Sequence, residues 1–218
     1  MNKVALVTGN YQGLGKAISE ILPSLGYEQP DVIRSADYDL TKQDQAEALV
    51  ADTIAKYGRL DLLVNNVGNY VNANISDYAV EDWHEMFNSN LNSAFYLTRK
   101  ALPYLREGED EIKGRILNIG FAGTEHLFTC ANTTAYQAAK SALLTLTRGL
   151  AQAEAPNGVL VNMMSPGHME NTVEPIDTSK VPLGRFASLD EACHAVKFFV
   201  ETTYATGQNL ELSGGWNL

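Results

Sequence analysis

Short apolar runs alternate with longer amphipathic stretches along the whole chain. The apolar runs predict buried strands at Val4–Thr8, Leu60–Asn65, Arg115–Ile119, Val159–Met164 and Leu210–Leu212. The amphipathic stretches predict helices at Leu14–Leu25, Asp82–Leu105, Thr134–Glu154 and Leu189–Thr202. Strands separated by helices of this length form parallel sheets that are covered on both faces. We therefore expect an α/β fold with a doubly wound parallel sheet.

The segment between Gly26 and Thr41 is too short for a strand, a helix and a second strand. It has room for one short strand around Val32–Ser35. The first half of the sheet is therefore expected to be abridged in its second strand and the helix that follows.

Composition limits the architecture and the partners. A chain of 218 residues that is 45% hydrophobic suits a single domain over residues 1–218. Its formal net charge of -10 repels nucleic acid and anionic membrane surfaces. The chain has no run of 18 apolar residues and no cleavable leader. Cys130 and Cys193 have no second Cys or His at ligand spacing, so we expect no metal, no disulfide framework and a reduced cytoplasm.

A glycine-containing loop, TGNYQGLG at Thr8–Gly15, joins the first strand to the first helix. Backbone N–H groups at a helix N-terminus bind a pyrophosphate, and side chains on the glycines would block its approach. The alternative is a turn that only requires positive φ angles. The cofactor-binding candidates here are Gly9, Asn10, Gln12, Gly13, Leu14 and Gly15.

Tyr136 and Lys140 are four residues apart, which places them on one face of a helix. A neighbouring ammonium favours the phenolate and can lower the pKa of the phenol. We therefore expect Tyr136 to be a usable proton donor near neutral pH. Taken alone, this pair could instead be a partly exposed Tyr and a solvated Lys with no catalytic role.

Four motifs in this order and spacing resemble the short-chain dehydrogenase/reductase family: TGNYQGLG, NNVG at Asn65–Gly68, YQAAK at Tyr136–Lys140 and SPG at Ser165–Gly167. The resemblance covers essentially the whole chain and extends to Asp61, Asn90 and the closing GQNLELSGG. It implies a Rossmann-type fold, a nicotinamide cofactor and hydride transfer between that cofactor and a carbonyl or alcohol.

The resemblance also implies roles for individual residues. Tyr136 is the general acid/base, Lys140 also binds the ribose hydroxyls of the nicotinamide half, and Asn90 holds a water of the proton relay. The other implied cofactor contacts are Asp39 and Leu40 at the adenine, Asn65, Asn66 and Gly68 on the adenosine side, Pro166 and Gly167 at the nicotinamide, and Met169 and Thr172 at the carboxamide.

One catalytic residue of the family is absent. The family's NISS corresponds to Asn118–Phe121, which places Phe121 where a Ser hydroxyl orients the substrate carbonyl. The substrate could be apolar at this point, a nearby hydroxyl could substitute, or catalysis could be lost. Among the nearby hydroxyls we favour Thr124 over Thr133 and Thr134.

The choice of cofactor depends on the abridged segment. If Val32-Ile33 forms the second strand, Arg34 and Ser35 follow it and bind a 2'-phosphate, which favours NADP. If the strand lies later, Asp37 accepts from a free 2'-hydroxyl and NAD is used. We favour NADP and keep NAD as the alternative.

The expected lid, His168–Arg185, is short for the family, and a short lid suits a bulky or protein-attached carbonyl better than a small one. The expected partner is a small-molecule or protein-attached carbonyl. Gly120-Phe121 and EDWHEM at Glu81–Met86 resemble a bacterial subgroup that includes elongation factor P 5-aminopentanone reductases. The acidic composition suits a cationic amino-ketone and disfavours an acidic acyl carrier protein.

Two classes of function remain open at this point. A reductase explains the retained Tyr136, Lys140 and Asn90, whereas a non-catalytic nucleotide-binding or scaffold protein explains the missing Ser and the abridged segment. The resemblance also implies a homodimer or homotetramer that associates through the two longest predicted helices.

Overall fold

A five-stranded parallel sheet organises the residues that this computed structural model describes, which are 2–127, 130–172 and 177–216. Its strands lie in chain order across the sheet: β1 (Ala5–Val7), β2 (Leu62–Asn65), β3 (Gly114–Ile119), β4 (Val159–Pro166) and β5 (Asn209–Leu212). The five strands predicted from the apolar runs are confirmed, with ends that differ by at most two residues. Because the strands are parallel, their carboxyl ends meet along one edge of the sheet, where ligands of such folds bind.

Helices cover both faces of the sheet. They are α1 (Gly13–Ile21), α2 (Gln43–Tyr57), α3 (Val80–Phe87), α4 (Ser93–Leu105), α5 (Thr134–Glu154) and α6 (Leu189–Glu201). The helix α2 was not predicted, although its buried residues Ala46, Leu49, Val50 and Thr53 follow helical spacing. The fold is the expected doubly wound α/β, Rossmann-type arrangement.

Successive residues of each strand face opposite cores, as the period of a strand requires. Leu63 and Ile116 pack in the core under α2, α4 and α5. Val64 and Leu117 pack in the core under α1 and α6. Burial on both faces explains why the strands read as continuous apolar runs.

The predicted long helix at Asp82–Leu105 contains a local irregularity. It begins earlier, at Val80, and a π-helical turn over Asn88–Asn92 separates α3 from α4. Such turns are rare and occur mostly at functional sites. This turn carries Asn90.

The predicted strand at Val32–Ser35 does not form. Within the described residues, the 26–41 segment makes one isolated β-bridge, between Tyr27 and Lys3, which precedes β1. The side-chain amide of Asn10 takes the place of a strand partner: it accepts from Ile33 N and donates to Asp31 O, both at 2.8 Å. The segment therefore lacks even the one short strand that the sequence pattern predicted.

We predict that Asn10→Ala destabilises the fold, because Asn10 is 2% exposed and its loss leaves backbone groups of the 31–33 segment without partners. The free energy of unfolding should fall by about 1–3 kcal/mol in a urea titration. Asn132→Ala, at an exposed position, is the matched control. Equal stability of the two variants would show that other contacts hold the segment.

Candidate active site

The turn between β1 and α1 borders a cavity of about 630 Å³. Gly9, Gln12 and Gly13 line it, and both glycines have positive φ angles, +63° and +55°. Lys16 N donates to Gln12 O at 3.3 Å, so the amides of residues 13–15, in the first turn of α1, come before the first hydrogen bond of the helix. This is the arrangement that binds a phosphate at the positive end of a helix dipole.

Three predicted contacts of this loop serve the fold instead. A Cβ on Gly15 would lie 2.4 Å from Gly9 O, so this glycine permits close packing of α1 against the loop. Leu14 packs against the core under α1 and α6. Asn10 is used to hold the 31–33 segment, as described above. The side chains of Asn10 and Leu14 therefore do not line the cavity, whereas contact with a phosphate through the backbone amides of Leu14 and Gly15 stays a prediction.

The two asparagines that end β2 point in opposite directions. Asn66 lines the cavity and donates to Thr8 O at 3.0 Å. Asn65 is 4% exposed and donates to Asn118 Oδ1 at 2.8 Å, on the face of the sheet covered by α4. Because neighbouring strand residues alternate in direction, Asn65 cannot share the cavity with Asn66. Asn65 therefore does not line the cavity with its side chain, and any part it has on the adenosine side is indirect.

The abridged segment forms the far end of the cavity. Arg34, Ser35, Asp39 and Leu40 line it as predicted. The hydroxyl of Thr41 donates to Asp39 Oδ1 at 2.6 Å, and this hydrogen bond lowers the pKa of Asp39. Asp37 lies outside the described lining and accepts from Arg34 N at 3.3 Å.

Tyr136 and Lys140 lie one turn apart on α5, as predicted. Lys140 Nζ is 5.6 Å from the centre of the Tyr136 ring. The lysine is 4% exposed and donates to Ile119 O, at the end of β3, at 2.8 Å. The pair is therefore at the carboxyl edge of the sheet, not on a solvated helix surface.

The electrostatics of this pair differ from the expectation. Burial raises the pKa of Tyr136, and nearby Tyr70 raises it further. Burial also lowers the pKa of Lys140 to about 8. Loss of water favours the neutral form of both groups, and this effect exceeds the expected stabilisation of a phenolate by the ammonium. Tyr136 is consequently protonated at neutral pH, but it is a weaker acid than the spacing of the pair predicted.

Gly68 allows Asn90 and Lys140 to converge beside the cavity. A Cβ at Gly68 would lie 2.2 Å from Asn90 Oδ1 and 3.3 Å from Lys140 Nζ, so no side chain fits there. Asn90 donates through Nδ2 to Asn69 O at 2.8 Å. Its Oδ1 is buried and has no hydrogen-bond partner in the described part of the chain. An unpaired buried acceptor at this point suits a water or ligand hydroxyl.

The end of β3 is apolar for a structural reason. A Cβ at Gly120 would lie 2.2 Å from Ser165 Oγ of the neighbouring strand. The next residue, Phe121, packs edge-on against Tyr136 with ring centres 5.6 Å apart and against Trp216 at 5.9 Å. The position of the missing Ser therefore holds a packed aromatic ring.

Thr124 does not supply the missing hydroxyl in this arrangement. Its side chain is buried and donates to Phe121 O at 2.9 Å within the turn after β3. Glu211 of β5 holds the same turn by accepting from Gly123 N at 2.9 Å. The Thr134 hydroxyl is also engaged, with Ala131 O at 3.3 Å. The prediction for Thr124 is thus opposed by its hydrogen bond.

The segment after β4 contributes a residue that the motifs missed. Pro166, Gly167, Met169 and Thr172 are absent from the described lining of the cavity. Met169 N donates to Thr172 Oγ1 at 3.0 Å, which closes a turn. That turn places Asn171 in the lining, with its Nδ2 3.0 Å from the Cβ position of Gly13. The signal that could have identified Asn171 is its place directly before Thr172, which the motif comparison singled out. Residues 173–176 of the predicted lid lie outside the described residues.

The family model described as enoyl-(acyl carrier protein) reductase matches residues 2–217. The chain belongs to the short-chain dehydrogenase/reductase family. It is therefore an NAD(P)-dependent oxidoreductase, and the glycine turn, Tyr136 and Lys140 occupy the positions that the motifs of this family predict.

Curated relatives match over nearly their full length. The acetoacetyl-CoA reductase of Acinetobacter sp. (strain RA3849) is 30% identical, over 98% of this chain and 97% of the relative. The 3-oxoacyl-(acyl-carrier-protein) reductase of Vibrio cholerae serotype O1 is 31% identical, over 98% of this chain and 96% of the relative.

Solved structures share the fold. A blue fluorescent protein from a metagenomic library, in complex with NADPH, has a TM-score of 0.88 at 27% identity and covers 99% of this chain and 98% of its own. The NADH-dependent reductase A1-R', responsible for alginate metabolism, has a TM-score of 0.87 at 21% identity, with coverage of 100% and 98%.

No helix within the described ranges has the length and apolar character that crossing a bilayer requires. Those ranges also bring together no group of three or more His, Cys, Asp or Glu side chains that could hold a metal ion.

The buried lysine gives a pH-dependent prediction. The pKa of Lys140 is about 8 in the fold and 10.5 as the ordinary value, so the unfolded chain binds the proton more tightly. The cost of burying Lys140 is therefore full below about pH 8 and disappears as the pH rises towards 10.5. Between about pH 7 and pH 9.5, the unfolding free energy of the wild type should rise by about 2 kcal/mol relative to Lys140→Met.

Parallel urea titrations of the two proteins at each pH measure this difference. The comparison removes the contribution of other titrating groups, which both proteins share. A difference that stays constant across this range would contradict a buried ammonium at Lys140.

Proposed function

We propose that this chain is an NADPH-dependent reductase of a ketone. The observation that carries the proposal is the convergence of Asn90 and Lys140 on Gly68, which lines the cavity, with the Tyr136 ring 5.6 Å from Lys140 Nζ. If Tyr136 and Lys140 had only a structural role, there would be no need for a glycine at residue 68, where the buried Lys140 meets the unpaired oxygen of Asn90.

The residues present fit a dinucleotide. The first turn of α1 can bind the pyrophosphate, Asn66 fixes the loop by bonding to Thr8 O, and the cavity continues to Leu40 and Thr41 for the adenosine. When bound, the reduced nicotinamide supplies a hydride to the carbonyl carbon. The chain must then supply a proton to the substrate oxygen.

Tyr136 is the proton donor in this proposal. A phenol is protonated at neutral pH, so Tyr136 can donate to the oxygen as negative charge develops there. Lys140, which donates to Ile119 O, would bind the ribose hydroxyls and assist reprotonation. The unpaired Asn90 Oδ1 is placed to accept from a water of the relay.

Two observations support NADP over NAD. Arg34 and Ser35 line the cavity, whereas Asp37, the alternative partner for a free 2'-hydroxyl, accepts from Arg34 N outside the described lining. An Arg beside a 2'-phosphate is a charge-assisted contact. A solved relative at 27% identity is in complex with NADPH.

The proposed substrate is a small-molecule or protein-attached ketone. Two curated relatives are named for 3-oxoacyl and acetoacetyl thioesters, which are ketones. The net charge of -10 favours a cationic amino-ketone, as in the elongation factor P 5-aminopentanone reductases, over an acidic carrier protein. Phe121 and Trp216 add an apolar surface beside Tyr136.

A non-catalytic nucleotide-binding or scaffold protein is the second candidate. It is favoured by one observation: Phe121 replaces the Ser, and Thr124 uses its hydroxyl within its own turn. Such a protein would bind the dinucleotide without turnover.

Assembly and location complete the proposal. We take residues 1–218 as one reductase domain in the cytoplasm, in a homodimer or homotetramer that associates through α4 and α5. The free thiols of Cys130 and Cys193 agree with a reducing compartment, and Phe95 of α4 offers an exposed aromatic surface.

Cofactor titration and turnover separate the two candidates. The fluorescence of NADPH and NADH should report tighter binding of NADPH to the wild type. With NADPH and acetoacetyl-CoA, Tyr136→Phe should lower kcat by at least about 10², because the proton donor is lost, while NADPH affinity is retained. Dinucleotide binding without turnover of any ketone in a panel would favour the scaffold protein, and no binding would contradict both candidates.

A further inference from the structure

A chain of edge-on ring contacts leads from Tyr136 to the last described residue of the protein. The ring centres of Tyr136 and Phe121 are 5.6 Å apart, and those of Phe121 and Trp216 are 5.9 Å apart. The chain continues from Trp216 to His168, with ring centres 4.8 Å apart. Burial lowers the pKa of His168, so its ring is neutral at pH 7. Aromatic pairs prefer this edge-on geometry, so each ring restrains the next.

These rings belong to four different segments that meet at the carboxyl edge of the sheet. Tyr136 lies on α5, whereas Phe121, His168 and Trp216 follow β3, β4 and β5 respectively. Within the described part of the chain, the cores on the two faces of the sheet contain none of the rings of Phe121, His168 and Trp216. All three are partly exposed. Loss of one of these rings therefore removes no contact from the cores that hold the sheet and helices together.

The backbone on either side of Phe121 is fixed, but its side chain is not fixed by the backbone. Gly120 N donates to Met164 O at 2.8 Å, and Ala122 N donates to Pro166 O at 3.0 Å. These two bonds continue the pairing of β3 with β4 and hold the Cα atom of Phe121. Rotation about the side-chain bonds remains free to choose among staggered positions. The direction of the Phe121 ring therefore depends on the rings that pack against it.

Trp216 is itself held by the segment between β4 and α6. Leu183 N donates to Gly214 O at 3.1 Å, and Trp216 N donates to Ser213 O at 3.1 Å. Gly214 has a φ angle of +62°, and a Cβ there would lie 2.8 Å from Val181 Cγ1. The glycine thus permits a close approach of the two segments. Trp216 is consequently placed by contacts that do not involve Phe121.

We propose that Trp216 is a positioning residue for the proton transfer, acting on Tyr136 through Phe121. This inference rests on the proposed reductase function. Trp216 restrains the Phe121 ring, and the Phe121 ring restrains the phenol that must meet the substrate oxygen. A displacement of about 1 Å at a reacting group can cost about 10² in rate. The aromatic ring at residue 121 then has a role in place of the hydroxyl that is absent there.

Trp216→Ala removes the restraint and leaves every proposed catalytic group in place. With NADPH and acetoacetyl-CoA as probes, kcat should fall by about 10- to 100-fold. NADPH affinity should be unchanged, because the four rings lie outside the described lining of the cofactor cavity. Trp216→Phe should retain most of the turnover, because an aromatic ring remains beside Phe121.

Trp83→Ala is the matched control, since Trp83 is the other of the two tryptophans. Trp83 is 37% exposed and packs against Phe87. Its turnover should equal that of the wild type.

A double-mutant cycle tests whether the effect passes through Phe121. Phe121→Ala alone should lower kcat, because it removes the ring that contacts Tyr136. Adding Trp216→Ala to Phe121→Ala should then lower kcat little further, because the two residues act in series. If the two separate effects multiply in the double variant, Trp216 acts independently of Phe121 and the proposal is overturned.

Fluorine NMR follows the Tyr136 ring without any ketone. The protein is labelled with 3-fluorotyrosine, and the resonance that disappears in Tyr136→Phe belongs to Tyr136. Trp216→Ala should shift this resonance, because the Tyr136 ring and its Phe121 neighbour move. Trp216→Phe and Trp83→Ala should leave it in place.

The combined outcomes decide the proposal. Turnover equal to the wild type in Trp216→Ala would overturn it and leave the reductase function intact, and so would reduced turnover without a shift of the Tyr136 resonance. Loss of NADPH binding or of the folded state in Trp216→Ala would also overturn it, because the residue would then be structural. If the wild type reduces no ketone, the proposed function fails and the resonance decides alone: a shift in Trp216→Ala that is absent in Trp216→Phe supports positioning, and no shift overturns it.

Discussion

The close approach of Gly68 to Asn90 and Lys140 is the constraint on which the site depends. Three elements must meet there: the end of β2, the π-helical turn before α4, and the first turns of α5. A Cβ at residue 68 would overlap Asn90 Oδ1. The parallel sheet makes this meeting possible, because it brings the ends of β2 and β3 to the same edge as the glycine turn.

Burial, more than the pairing of charges, determines how the central groups titrate. Tyr136 keeps its proton, and Lys140 is held near the boundary between its charged and neutral forms. A protonated phenol suits reduction, in which the substrate oxygen gains a proton. The sequence spacing of the pair led to the opposite expectation for Tyr136, because spacing carries no information about the loss of water.

The strands, the doubly wound fold, the glycine turn and the Tyr136–Lys140 pair could all be predicted from local pattern and motif order. The directions of individual side chains could not be predicted in this way. Asn65 and Asn66 are adjacent in a motif, yet strand alternation separates them. Thr124 turns inward because Glu211, distant in sequence, closes its loop. The side chain of Asn10 accepts the hydrogen bond from Ile33 N that a strand partner would otherwise accept. A sequence pattern cannot reveal this substitution. Asn171 was missed because its position depends on a turn closed by Thr172.

The most direct test of the central claim is the steady-state turnover of Gly68→Ala with NADPH and acetoacetyl-CoA. Gly149→Ala in α5 is the matched control, because a Cβ there meets no atom within 4 Å. Displacement of Asn90 and Lys140 by about 1 Å should lower kcat by about 10² in Gly68→Ala, with the fold retained by circular dichroism. Turnover equal to that of the control in a folded Gly68→Ala protein would contradict the account.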